Sequence, residues 1–567
     1  MRYPTKANIV ILFAFVAQAK AYSLLHPRQT SNRSIEYHHR ALHNSVVVRN
    51  DGRPYLYFEG GEVTFWNGSG SGWQNDNGIN TGNFTTYVDA NTYAVPLDRS
   101  WSLTNAVVTK AGQHRLSLVD RGLWPSLDGE SFYSYNGAAS FAENSLSGDW
   151  PADYSNTLEQ YWPTSGEWDF DVAQNNTSLF WELRRARDSL YASGNGLHFA
   201  LGGRQGDTTD WSLDYDMNIP GLVMFNESSQ QWFNFSTKDF SSSGFATDGA
   251  AHFATDYGPE GLLLVFGGYV NGLKSSFDEM WMFEPVSRRW AAQQVSGEPP
   301  PGAINPCVVG LAGDSGTYEI FLHGGLGDAD DLDSALTLGS IWSFTLPAFH
   351  WQRHSPNSEY SRVFHCCNVV GNRQMAVIGG VVSSKESTLS NIIRDPWPQG
   401  IGIYDLSSLS WRNDFDAAAQ VYVSPEPVKA YYQANGSTPL GGWNNPIVSA
   451  WLNKDSASIG LQNIEDTSGS KSEGPEPGSI AGGVLGGLFG LGVVVAIMWI
   501  LRRRKRHHTH FVTPERSELP EWRAPKLADE MRVRSEMDGR ALPAEVDDDR
   551  RRYEMPVEAE RRVIHEM

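Results

Sequence analysis

The chain has 567 residues, 45 basic and 65 acidic, and its net charge of -20 excludes the broad basic face that nucleic-acid binding needs to displace phosphate counterions. Only 19% of residues are charged, 12% are aromatic, and 55 glycines and 20 tryptophans punctuate the sequence, the balance of a β protein rather than a helical one. That is ample chain for a large core.

At the start, Arg2 and Lys6 precede an apolar run from 7 to 17, and Ala17, Ala19 and Ala21 supply small residues. This three-part layout predicts a secretory signal peptide over 1–21, with the mature chain beginning near Tyr22.

A repeat follows, over 40–435. Trp232, Trp290, Trp351 and Trp411 lie 58, 61 and 60 residues apart, and an aromatic stands seven residues before each: Phe225, Phe283, Phe344 and Tyr404. Upstream of each pair a glycine doublet closes an apolar run: Gly202 and Gly203 in "LHFALGG", Gly267 and Gly268 in "LLLVFGG", Gly324 and Gly325 in "EIFLHGG", Gly379 and Gly380 in "MAVIGG". Two earlier units are irregular. "YLYFEGG" ends in Gly60 and Gly61, with Trp101 expected to close the repeat although its paired aromatic is out of register. "SFYSYNG" has the single Gly137, with Trp181 lacking a partner.

The apolar runs read as buried strands ended by glycines that can take positive φ. A segment such as "EMWMFEPVSRRW" reads as strand, turn, strand, with Pro285 in the turn. A four-stranded unit cannot bury both faces alone, and radial stacking of copies solves this in an all-β propeller. The span divided by the period gives about six blades; a seventh would need an unrecognised unit. "VYVSPEPVKAYY" is expected at ring closure, its prolines favouring an edge.

Residues 436–478 read as a linker. From Ser479 to Leu501 no residue is charged, and about 20 such residues span a bilayer as a helix. Arg502, Arg503, Arg504, Lys505 and Arg506 follow, which places the C-terminus in the cytoplasm and predicts a single-pass type I membrane protein of the plasma membrane or an endomembrane. Asn32, Asn67, Asn83, Asn175, Asn176, Asn226, Asn234 and Asn435 begin N-glycosylation triplets, all before the span. Residues 502–567 hold 16 of the basic and 15 of the acidic side chains, so the whole negative excess lies before them. Their mixed charge, scattered prolines and few large apolar residues predict a disordered tail for cytoplasmic partners. Gly482 with Gly486, Gly483 with Gly487 and Gly486 with Gly490 offer small-residue pairs through which the span could form a homodimer.

The doublets and spaced aromatics resemble the kelch repeat over roughly 40–420. The whole layout is similar to fungal kelch-repeat membrane proteins, with "RVFHCCNVVGNRQMAVIGG" and "DYGPEGLLLVFGG" carrying much of the likeness. The resemblance implies a kelch-type propeller and the type I topology. In that topology Cys307, Cys366 and Cys367 face an oxidising compartment and their odd number leaves one unpaired. "NPCVV" and "FHCCNVV" fall on innermost strands of consecutive blades, and alternation lets only one of Cys366 and Cys367 face the preceding blade. The family pattern of His, Thr, Cys after an Arg, laid on His365, Cys366 and Cys367, implies a Cys307–Cys367 disulfide.

A copper radical oxidase of the galactose-oxidase type shares this fold but needs two tyrosines, two histidines and a cysteine cross-linked to one tyrosine. The Tyr-His neighbours here, Tyr37 with His38 and His39, precede the first blade. No catalytic residue, cofactor or metal is therefore expected. Asp328, Asp330, Asp331 and Asp333 form an acidic loop without the glycine and distal glutamate of an EF-hand. Arg40 with His43 and Arg362 with His365 share a spacing that satisfies buried backbone groups or lines the channel. Trp66, Trp73, Trp211 and Trp397 are candidates to stack on sugars or to pin loops. The expectation is a binding protein that takes a protein or cell-wall glycan on its ectodomain; the alternatives are the oxidase and a structural, wall-organising protein.

Overall fold

Six antiparallel sheets follow one another along the chain of the computed structural model, which describes residues 36–66, 84–140, 156–172, 174–210, 212–213, 215–327, 339–354, 361–382 and 394–453. Blade 1 is built of Asn44–Asn50, Arg53–Glu59, Asn91–Pro96 and Thr109–Gln113. Blade 2 uses Gly122–Pro125, Phe132–Tyr135, Leu158–Trp162 and Glu167–Asp169. Blade 3 uses Leu190–Gly194, Leu197–Leu201, Leu222–Asn226 and Gln231–Phe235; blade 4 uses Ala250–Ala254, Leu262–Phe266, Glu279–Glu284 and Arg289–Gln294. Blade 5 uses Cys307–Ala312, Tyr318–His323, Ile341–Leu346 and His350–His354, with Ser296–Gly297 added in parallel at its outer edge. Blade 6 uses Arg362–Val370, Gln374–Val382, Ile401–Asp405 and Ser410–Arg412.

The first strand of each blade lies beside those of its neighbours, and Arg362–Val370 lies beside Asn44–Asn50, so the ring closes at six. This is a β-propeller. Both faces of a blade are covered, which is why strands such as Leu262–Phe266 and Tyr318–His323 are buried at every position rather than alternating.

The core is divided into layers between blades, and the repeat tryptophans of blades 3, 4 and 5 each fill the layer shared with the blade before. Trp232 packs between blades 2 and 3, Trp290 between 3 and 4, Trp351 between 4 and 5. Each faces its aromatic across the hairpin, with ring centroids 4.7 Å apart for Phe225–Trp232, 5.1 Å for Phe283–Trp290, 4.9 Å for Phe344–Trp351 and 5.2 Å for Tyr404–Trp411. Blade 2 has the same pair in Tyr161 and Trp168, 5.2 Å apart, which corrects the assignment of Trp181 to that place. Trp181 instead stands exposed on the short helix α1, Thr177–Glu182. Trp101 does not close blade 1 either. Lys110 takes the fourth-strand position, and Trp101 pairs through Trp101–Ser102 with Asp414–Phe415, latching the end of blade 6 onto blade 1.

The glycine doublets join the blades. The N–H of Gly203, Gly268 and Gly325 donates to the carbonyl of Ala246, Ala303 and Arg362 in the next blade at 2.8, 2.8 and 2.9 Å, and Gly137 does the same to Ala186 at 3.0 Å. A Cβ on Gly324 would lie 2.5 Å from the Arg362 oxygen, and one on Gly379 2.5 Å from the Arg40 oxygen. No side chain fits such an approach. A second set of bonds encircles the channel. Leu42, Asp120, Asp188, Asp248, Asn305 and Phe364 occupy one equivalent place per blade, all with φ between 51° and 59°. The N–H groups of the first five reach back to the preceding blade: Leu42 to Phe364 O, Asp120 to Leu42 O, Asp188 to the Asp120 carboxylate, Asp248 to Asp188 O and Asn305 to Asp248 O.

After blade 6 the chain turns back. "VYVSPEPVKAYY" does not close the ring as an edge strand; its second half opens the helix α2, Glu426–Asn435, with proline in the first turn where a missing N–H costs nothing. Tyr431 stacks on His350 of the fourth strand of blade 5 at 3.7 Å, and Tyr432 bonds Thr345 at 2.9 Å. The helix α3, Pro446–Leu452, capped by the Asn445 side chain, buries Val448, Trp451 and Leu452 in the layer of blades 4 and 5. The packed domain therefore runs to Asn453, and a linker beginning at 436 starts too early. The segments 1–21, 479–501 and 502–567 lie outside the described residues. No helix of the described residues is long and apolar enough to cross a membrane.

Candidate binding site

Arg40, on the strand Glu36–Ala41 that precedes blade 1, and Arg362, at the start of blade 6, reach with their guanidinium groups the carbonyls of Gly60 and Gly379 in the doublets of blades 1 and 6. Arg40 pairs with Asp89 at 2.7 Å and Arg362 with Asp395 at 3.3 Å, all four side chains buried. Trp397 lies beneath Arg362, 3.5 Å from guanidinium carbon to ring centroid, and is therefore buried rather than offered to a ligand. His43 packs on Gly379 and His365 on Gly324, each filling the space a missing Cβ leaves in the neighbouring blade. Burial first, then the Arg40 charge, holds His43 well below the usual imidazole range. Burial and Arg362 hold His365 down to about 3. These residues brace the junctions of the ring.

Between blades 1 and 2, Arg121 lies 3.1 Å from Glu159 and 3.7 Å from Glu59, and His114 bonds Glu159 at 2.5 Å. Burial would raise Glu159, but Arg121, the His114 bond and charge, and Arg185 together bring it down to about 2. Glu59, farther from Arg121, is pushed up by burial. Around the channel, Arg187 and Arg204 pair with Asp188, Asp216 and Asp248.

The structure brings Cys307 and Cys367 together in a disulfide with Cα atoms 5.8 Å apart. Cys366 faces the opposite way, its buried sulfur accepting from Ser45 Oγ at 3.0 Å, and burial pushes its thiol up to about 12. Tyr37, His38 and His39 sit on the sheet formed by Glu36–Ala41, Glu62–Trp66 and Phe84–Val88, with His38 and His39 bonded at 2.8 Å between their Nδ1 atoms. The acidic loop at 328–333, Trp73, Trp211 and the tail fall outside the described residues, as does the side chain of Trp66.

Among the sequon asparagines, Asn32, Asn67 and Asn83 fall outside the described residues; Asn175, Asn176, Asn234 and Asn435 are exposed and Asn226 is half-buried. Asn176 exchanges two bonds with the Trp232 backbone, at 2.9 and 3.0 Å, and Asn175 donates to Ser229 O at 2.8 Å. Asn435 donates to Tyr431 O at 3.0 Å.

An open cleft of about 390 Å³ lies between blades 2 and 3. Tyr135 and Asn136 at the end of a blade 2 strand, Glu182 at the end of α1, Arg184 after it, Met217 and Asn218 of a short strand paired with Arg204–Gln205, and Asn234 of blade 3 line it. Arg184 is held at its rim by Gln205 Oε1 at 2.8 Å. Two exposed aromatics lie near the lining residues in sequence, Trp181 beside Glu182 at 63% exposure and Tyr215 two residues before Met217 at 65%. The cleft thus combines a carboxylate, a guanidinium and three side-chain amides. Sequence reasoning assigned Trp181 to the repeat and passed over Tyr215; the signal available was that neither fits the spacing of seven.

No family model matches the chain. A Kelch repeat-containing protein of Arthroderma benhamiae is 23% identical over 317 residues, which cover 49% of this chain and 46% of that protein. The match thus spans about half the length of that curated relative. The solved structure of YjhT aligns with 66% of this chain and 97% of its own at 11% identity and a TM-score of 0.42.

Proposed function

We propose that this chain is a non-enzymatic binding protein whose propeller takes a glycan in the cleft between blades 2 and 3. The observation that carries the reading is the cleft itself, lined by Glu182, Arg184, Asn218 and Asn234 for hydroxyl groups; the exposed Trp181 and Tyr215, one and two residues from that lining in sequence, are the aromatics the reading assigns to the apolar face of a sugar ring. The kelch likeness is in keeping with a binding propeller. On this reading the apolar segment 479–501 anchors the chain, the propeller faces the lumen or the exterior, and residues 502–567 meet cytoplasmic partners. Asn234 sets a condition, because a glycan on its own side chain would fill the cleft; the form that binds carries none there.

The test is binding of the full-length chain to an array of wall polysaccharides, alongside Trp181→Ala, Tyr215→Ala and Asn234→Gln. Saturable binding that falls about tenfold with each aromatic removed, at roughly 1–1.5 kcal/mol per stacking contact, is expected, and Asn234→Gln should bind at least as well as a glycosylated wild type. Binding that both aromatic variants leave unchanged would remove the cleft from the proposal, and no binding to any glycan would turn the search to a protein partner.

A further inference from the structure

Four potential metal ligands meet at the junction of blades 5 and 6. His323 is the register partner of Cys307 across the first hairpin of blade 5, so the two side chains share a face. His365 and Cys367 are two residues apart on the innermost strand of blade 6 and share the face turned to blade 5. The geometry follows from strand alternation. One ligand atom from each of Cys307, His323 and His365 lies within 4.8 Å of the other two, and Cys367 is already bonded to Cys307. His323 Nδ1 and His365 Nε2 are 3.3 Å apart, with ring planes at 87°. Cys307, His323 and His365 are buried.

The geometry points to a redox-gated metal site: with the Cys307–Cys367 disulfide reduced, Cys307, Cys367, His323 and His365 form a tetrahedral Cys2His2 set for zinc. Two thiolates and two imidazoles are the ligands of closed structural zinc sites, with Zn–S near about 2.3 Å and Zn–N about 2.0 Å. The two sulfurs must then part to about 3.8 Å, the separation set by such bonds at a tetrahedral angle. Side-chain rotation supplies this between Cα atoms 5.8 Å apart. A dithiol reductant supplies two electrons and two protons, turning the protein disulfide into two thiols while closing its own disulfide. The ion then displaces both protons from the sulfurs; a disulfide oxidant that takes two electrons and two protons to become a dithiol closes the Cys307–Cys367 bond again and expels the ion. Cys366 faces blade 1 and takes no part. This site is independent of the cleft between blades 2 and 3.

The test uses Co2+ as the probe on the full-length chain in detergent, kept free of oxygen, either oxidised or reduced by a phosphine. The reduced chain should bind one Co2+ with thiolate-to-cobalt charge-transfer absorbance; the oxidised chain should show none of that band, whatever the histidines at 507, 508 and 510 bind. Second-shell changes at metal sites cost about 10–100-fold in affinity, so His323→Gln, which removes a ligand but leaves the disulfide to form, should cost at least about 100-fold. Cys366→Ser should match the wild type. The inference is overturned by a reduced, folded chain without the band, by a His323→Gln variant that binds like the wild type, or by a reduced chain that loses its β-sheet dichroism, since the ligands converge only on folded strands.

Discussion

Asn136 and Gly202 hold the same backbone conformation, φ 64° and 61°, at the same place in blades 2 and 3. Asparagine is among the few residues that enter the left-handed region readily, so "NG" does in blade 2 what "GG" does elsewhere. The doublets were legible because glycine is the usual residue for that conformation; the Asn136 variant was not, since its role appears only when Gly137 bonds Ala186 of the next blade. The demand on Gly324 is double. Its φ of 69° disfavours any Cβ, and the Arg362 carbonyl and the His365 ring occupy the space one would need. Gly272, at φ 75°, has nothing within 4 Å. Gly272→Ala should therefore cost only the left-handed penalty of about 1–2 kcal/mol, while Gly324→Ala should cost clearly more. Urea midpoints of the two variants that fall together would show that the inter-blade approach carries no energy of its own.

At the scale of the element, the aromatic-tryptophan hairpin was readable wherever doublet and spacing occurred together. Tyr161 and Trp168 keep the spacing of seven, but the lone Gly137 and the long insertion before Leu158 hid the unit, and Trp181 took its place. Trp101 was misplaced for a different reason, since its partner Phe415 lies more than three hundred residues away and no local pattern announces a contact of that kind. The two C-terminal helices were also missed. The prolines before α2 suggest an edge and α3 falls in the expected linker, and what holds both helices is tertiary: His350 beneath Tyr431, and the space between blades that takes Trp451. Trp451→Ala should destabilise the domain by about 3–5 kcal/mol, the usual range for a buried large aromatic. An unchanged chemical-denaturation midpoint would mean that α3 rests on the propeller without stabilising it.

Over the whole molecule, the burial of neutral histidines lowers stability in acid, while Glu59, Asp120 and Asp395, whose carboxyls burial raises, contribute with the opposite sign. Burial holds His39, His252, His350 and His354 down to about 4, with His38 adding to the effect at His39, and His365 lies at about 3. Their ordinary value is 6.5, so between pH 6.5 and about 4 the unfolded chain binds more protons than the folded one. Stability present above pH 6.5 should be lost progressively as the pH falls through that window. Glu159 extends the loss, because its stabilisation is complete above 4.5 and disappears as the pH approaches 2. Urea unfolding followed from pH 8 to pH 3 should show a falling free energy with the slope appearing first below 6.5; a flat profile down to pH 4 would mean that these histidines stay hydrated. Charge composition alone could not announce this, since the histidines are scattered through the sequence and only the packing of blades removes them from water.

The seam between blades 6 and 1 is where strands from opposite ends of the described domain meet, and the latch of Asp414–Phe415 on Trp101–Ser102 lies on it. Beyond the latch the chain recrosses blade 5 as α2 and reaches blade 4 as α3 before Asn453. A pull on the chain past that point meets Trp451 and Leu452 first and Tyr431 next, so those anchors would give way in series before any tension reached the seam. Such a route would act as a strain relief: a load taken up by shear on the flank of the wheel need not prise the rim apart.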